Sequence, residues 1–129
     1  MSEILVDNLT GKTSAGDITV TSEGGTATQS LQQGLAKVFV VGASNKASVL
    51  TSFNCSHLSD DGTGKQSVTF TNPFSTSNYV PTTSLAAGGD KTHTHERTSS
   101  SVCQFISRDA SSAGLEDLEV SASVHGDLA

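Results

Sequence analysis

Tryptophan is absent from this chain of 129 residues, tyrosine occurs once and phenylalanine five times. With hydrophobic residues at 34%, a large self-sufficient core is excluded. Ser, Thr and Gly fill the remaining space, a composition suited to short strands joined by polar turns. Two cysteines, Cys55 and Cys103, stand far apart outside any Cys-x-x-Cys or Cys-His cluster, so neither a zinc knuckle nor a redox pair is built from them. Two free thiols acting as small core residues are expected, since a disulfide would require neighbouring strands with suitable Cα separation. Basic residues number seven against thirteen acidic, with a net charge of −6. They form no run, so no phosphate-neutralising stripe exists for nucleic acid, and no basic patch for an anionic membrane surface. No apolar run is long enough to span a bilayer. The opening MSEILVDNLTGK has early acidic residues and no apolar h-region, so synthesis in a cytoplasm without secretion is expected, with no membrane insertion. The glycosylation patterns at Asn8 and Asn54 then carry no meaning.

What is present is mostly period-two alternation. Glu3–Asp7 reads as a short strand candidate and Asn8–Gly16 as a polar turn region. Asp17–Ser22 alternates with Ile18 and Val20 on one face. Thr26 followed by Gln29 fits a weak capping box. Leu31 and Leu35, four apart, would share one face of a helix of at most three turns over 26–37, weakened by Gly34. From Val38 onward the pattern is β. Val38–Val41 is a continuous apolar run that reads as a buried central strand, followed by a loop over 42–46. Ser48–Cys55 places Val49, Thr51, Phe53 and Cys55 on one face, and Ser59–Gly64 carries the Asp-Gly chemistry of a hairpin turn. Strands follow over 65–71 and 78–86, the latter at an edge or bulge because of Pro81. Ala87–Ser99 reads as an exposed loop, Ser100–Ser107 as a strand, and Leu118–Val124 as a half-buried strand.

About six strands within some ninety residues predict an all-β fold, a small antiparallel sandwich or open barrel over 38–129. It is preceded by a strand-and-short-helix segment over 1–37. The expected inward set is Phe39, Phe53, Cys55, Val68, Phe70, Val102, Phe105, Leu118, Val120 and Val124. So few large side chains imply that apolar surface is shared with other subunits.

Four stretches together resemble the short fibre-like virion structural proteins of marine tailed bacteriophages. Glu3–Ser14 is similar to their opening strand and turn, and Gly34–Val41 to their junction into the β-domain. Ser52–Gly64 with Val68–Phe74 and Asn78–Val80 is similar to their central hairpin and next strand. Val120–Asp127 is similar to a closing strand that ends in aromatic-Gly-Asp. The chain departs from that pattern at Cys55, where a β-branched residue is usual, and at His125, where an aromatic is usual. The resemblance implies a homotrimer located in the virion after synthesis in the host bacterial cytoplasm. Residues 1–37 would join subunits or attach to other virion proteins, in the tail or the capsid. Ile18, Val20, Leu31 and Leu35 would form the oligomer interface. The chain's brevity makes a capsid decoration protein a competing reading.

Candidates for chemistry are few. His93 and His95 in Thr92–Glu96 point the same way on an extended segment, and three copies on a threefold axis would offer six imidazoles to a transition metal. An exposed loop whose histidines merely titrate explains the same residues. Asp60-Asp61-Gly62 reads as a turn rather than a calcium loop, and Glu116, Asp117 and Glu119 as a solvated acidic face. Asp90, His93 and Ser99 make a triad only on paper, with no nucleophile elbow. No enzyme activity and no cofactor are expected. A glycan-binding module is the reading from a different class, with Tyr79 and Phe74 as its aromatic platform.

Overall fold

The structure is a computed structural model that describes residues 3–14, 18–43, 48–85 and 89–129. The expected turn residues 15–16, the first residue of the expected strand Asp17–Ser22, the expected loop at 44–46, the last residue of the expected strand 78–86 and the start of the expected loop at Ala87 lie outside the described residues. Two compact units divide the chain, Met1–Leu35 and Ala36–Ala129.

In the first unit, residues 3–14 form no regular element, so the strand expected at Glu3–Asp7 is not there. β1 (Thr19–Thr21) pairs antiparallel with β2 (Thr28–Ser30), Val20 opposite Gln29. The turn between them is closed by Ser22 N–H donating to the Ala27 carbonyl at 2.8 Å, with Gly25 at φ +70°. The helix expected over 26–37 is only α1 (Leu31–Gly34). Pairing with β1 satisfies the backbone of Thr28–Ser30, and β-branched threonine favours that strand over a helix. The cap is consequently Ser30, not Thr26, its hydroxyl accepting from Gln33 N–H at 3.4 Å.

The second unit is all β: two four-stranded antiparallel sheets packed over one core. The first sheet runs β4 (Val49–Phe53), β3 (Val38–Gly42), β10 (Val120–His125), β7 (Val80–Leu85). The second runs β5 (Cys55–Asp60), β6 (Lys65–Phe70), β9 (Val102–Asp109), β8 (Lys91–Arg97). Val38, Val40, Val120, Ala122 and Val124 from the first sheet bury against Leu58, Val68, Phe70, Cys103 and Phe105 from the second. Pro81 does lie on an edge strand, β7, where its missing N–H leaves no gap in the ladder. The segment expected as a loop at 87–99 instead carries β8, which pairs with β9 from Lys91↔Asp109 to Arg97↔Cys103.

The expected strand 48–55 is broken at Asn54, which takes φ +56° and passes the chain from one sheet to the other. Its amide nitrogen donates to the carbonyls of Lys37 and Asn72, each at 3.1 Å, and its oxygen accepts from Asn72 N–H at 2.6 Å. Asparagine suits this corner because it tolerates the left-handed region and its side chain replaces backbone partners that the ladder no longer supplies.

Two of the expected inward residues face out. Phe39 and Phe53, directly opposite each other in β3 and β4, are exposed. The register with β10 explains why. Val38 and Val40 lie beside Val124 and Ala122, while Phe39 and Val41 lie beside Ser123 and Ser121. Opposite residues share a face, so in this register Phe39 and Val41 lie on the side of those two serines, and only a one-residue slip of β3, which would expose Val38 and Val40, could turn them inward. Cys55 and Val102 are half-buried; the other six expected core residues are buried.

At the far end of the sandwich Phe70, Phe74 and Tyr79 form an aromatic cluster. Phe74 stacks on Tyr79 at 4.8 Å, and Phe70 meets both edge-on at 5.1 and 5.5 Å. Gly126 packs on this cluster, since a Cβ there would stand 2.9 Å from Phe74 Cδ1 and 3.0 Å from Tyr79 Cβ. The glycine of the closing His125-Gly126-Asp127 is therefore a packing requirement.

Candidate docking face

The outer surface of the sheet β4-β3-β10-β7 is built by the register just described. Phe53, Phe39, Ser123 and Thr82 form one cross-strand row, and Thr51, Val41, Ser121 and Ser84 the next. None of these eight side chains is charged. Phe39 and Phe53, 41% and 55% exposed, stack with centroids 6.2 Å apart. A shallow groove of about 260 Å³ runs over β10, with Phe39 and Val41 on one side and Thr82 and Ser84 on the other. The continuous apolar run Val38–Val41 held the signal for this face. In a strand covered on one side only, such a run must send half its side chains outward.

Val20 and Leu35 are exposed, and Ile18 and Leu31 half-exposed. Val20, Leu31 and Leu35 line a second depression of about 220 Å³ together with Gln29 and Gly34. The backbone brings Ile18 beside Leu31, whose N–H donates to the Ile18 carbonyl at 2.8 Å.

His93 and His95 do share one side of β8, as two-residue spacing dictates. Their surroundings differ. His95 is exposed, whereas both ring nitrogens of half-buried His93 are sealed from solvent without a hydrogen-bond partner among the described residues. Burial lowers the His93 pKa, so the neutral ring is favoured. Among the described residues no group of three histidines, cysteines or carboxylates is gathered to hold a metal. Asp90 and Ser99 flank opposite ends of the seven-residue β8, roughly 20 Å or more apart at strand rise, so the paper triad is pulled open.

Tyr79 and Phe74 correct the platform expectation, for both are buried in the aromatic cluster. The Tyr79 hydroxyl donates to the Val102 carbonyl at 2.7 Å, and burial pushes the phenol well above its ordinary pKa. The cysteines are free. Cys103 is buried, its thiol pushed up to about 12 by desolvation, and Cys55 is raised for the same reason.

The carboxylates pin loops. Asp61 accepts from Ser59 at 3.1 Å, from Gln104 at 2.8 Å and from Ser67. Burial opposes its ionisation, but these three donors outweigh it and hold the carboxyl below its ordinary pKa. Asp60 caps the turn, accepting from Gly62 N–H at 2.9 Å. Asp117 accepts from Gly64 N–H at 2.6 Å. Lys91 bridges Asp109 at 2.7 Å and Glu116 at 2.5 Å, so part of the expected acidic face is an ion-pair network.

No family model, no curated protein and no solved structure matches the chain.

Proposed function

We propose that this chain is a non-enzymatic structural module of a tailed-phage virion, a short homotrimeric fibre-like piece attached through its N-terminal segment. The resemblance of its opening, hairpin and closing segments to marine phage fibre-like proteins supports the phage assignment. The observation that carries the assembly role lies in the first unit. Not one described residue of 3–35 is buried, although the segment holds Ile18, Val20, Leu31 and Leu35. A two-stranded hairpin with a single helical turn is marginal in water by itself, so a segment of this kind becomes stable by being covered. Threefold copies supply that cover without a second gene product.

Sedimentation equilibrium of the purified chain over a hundredfold concentration range tests the trimer. The expected mass is three times the 13.2 kDa of one chain. A single-chain mass at every concentration overturns it. Gold labelling of purified particles tests the location. Label on the tail supports the fibre role, label over the head reassigns the module to capsid decoration, and no label on intact particles overturns a virion role.

A further inference from the structure

We propose that the uncharged outer face of β4-β3-β10-β7 is the surface by which one copy of this chain docks on the β4 flank of the next. The proposal rests on the homotrimer reading above and names the contact within it. The first observation is where charge is missing. In a chain of net charge −6, the other three edges of the sandwich carry charge or proline: Asp60 on β5, Pro81 on β7, and Lys91, Glu96 and Arg97 on β8. Such residues blunt an edge against association. β4 carries neither, and every one of its five residues is exposed. The outer face beside it is equally uncharged, and its charged or titratable neighbours, Lys37 before β3 and Glu119 and His125 on β10, stand at the strand ends. A neutral centre with a polar rim is the layout of a protein interface.

The second observation is that β4 is uncovered on both sides. Ser52 pairs with Val40 and Val49 with Gly42, so both share the parity of buried residues, yet they are exposed. The second sheet does not reach over β4, because the chain leaves for that sheet at Asn54. Val49 and Leu50 are 40% and 61% exposed. Each copy therefore offers two neutral, partly apolar patches that meet along β4, the outer face with Thr51 and Phe53 and the β4 flank with Val49, Leu50 and Ser52.

Charge and area select the occupant. A charged partner would have to strip water from its ions against a face that returns no countercharge. A second copy brings a neutral patch instead. Four strands about 4.8 Å apart and five residues long at about 3.3 Å per residue present roughly 300 Å² in projection. That is below the ~800 Å² per partner of a standard interface. A twofold dimer through this face alone would bury too little. In a closed ring each copy makes two such contacts, one through its face and one through β4, so it buries about twice that area, as heterologous cyclic contacts allow.

The test uses the full chain with Thr51→Arg, Phe53→Ser or Phe39→Ser, each at an exposed site, with near-UV circular dichroism to verify folding. Sedimentation equilibrium is expected to show a trimer for the unaltered chain and at least about 30-fold weaker association for each folded variant, the loss typical of a central interface residue. If the unaltered chain is a trimer and all three variants keep its mass, this interface is wrong while the trimer stands. If the unaltered chain is a monomer, the assembly reading itself fails and this contact with it. Binding of a monomeric chain to an immobilised glycan array, abolished by Phe39→Ser, would also overturn the proposal in favour of a carbohydrate site.

Discussion

Asn54 is where the fold depends most on one side chain, and replacing it separates two physical causes. In Asn54→Ala the backbone must keep φ +56°, a left-handed conformation that costs an ordinary L-residue about 1–2 kcal/mol. The same change deletes the two donations to Lys37 and Asn72 and the acceptance from Asn72. Each such bond contributes about 0.5–1.5 kcal/mol net, toward the lower end at this half-exposed corner. Together these predict a loss of about 2–4 kcal/mol. Asn54→Gly removes the same bonds but relieves the backbone, so it should be milder than alanine by about 1 kcal/mol despite its greater chain entropy. Urea denaturation of both variants and the unaltered chain, at one protein concentration so that self-association does not shift the midpoints, measures the order. Alanine within about 0.5 kcal/mol of the unaltered chain, a shift usual for an indifferent surface site, would refute the reasoning. Glycine at least as damaging as alanine would refute the conformational half of it.

Gly64→Ala should cost about 2–4 kcal/mol, because φ is +68° and a Cβ would stand 2.6 Å from the Ser107 carbonyl oxygen; a melting curve superposable on the parent's would contradict this. With a disulfide reagent near pH 8, half-buried Cys55 should react slowly and Cys103, raised to about 12, not at all until urea is added; two equal fast phases in the native state would contradict the burial. The depressed Asp61 carboxyl stabilises the fold above its unfolded value, about 3.9, and that contribution fades as pH falls through its folded value. Asp61→Asn should therefore flatten the acid limb of stability against pH below about 4, and an acid limb of unchanged slope in chemical denaturation would count against it.

Much of the sandwich was legible because its signals are local. The alternation of Leu118–Val124, the Asp-Gly turn and Pro81 each specify their own backbone. What was not legible depends on pairing. The 26–37 segment has a helix-like leucine spacing, yet Thr28–Ser30 takes a strand because β1 is there to receive it. His93 and His95 sit in a polar run that reads as loop, but β9 offers them a seven-residue partner ladder. The choice between Val38 and Phe39 for the core is made by the serines of β10, eighty residues away, and no window on β3 alone contains that information. The outer face has the same origin: the apolar run of β3 requires that some of its side chains face outward, and register with β10 chooses Phe39 and Val41.

The scarcity of large aliphatic side chains in the core is offset in two distinct ways in this domain, and they bear on its role differently. At one end the three-ring cluster of Phe70, Phe74 and Tyr79 concentrates most of the buried aromatic area around Gly126. At the other, loops are held by carboxylates that accept several donors each: Asp61 from Ser59, Ser67 and Gln104, and Asp109 from Lys91, Ser111 and the Ser112 N–H. Both carboxylates are thereby engaged by several donors of the protein itself. Charge is thus used at the loops and rims, whereas the two cross-strand rows on the outer face of β4-β3-β10-β7 carry none. A module evolved to handle a polar ligand would be expected to concentrate its donors and acceptors on its open groove. Here the groove has hydroxyls and Phe39, and the carboxylates that accept several donors lie at the loops, an allocation that fits docking between protein surfaces.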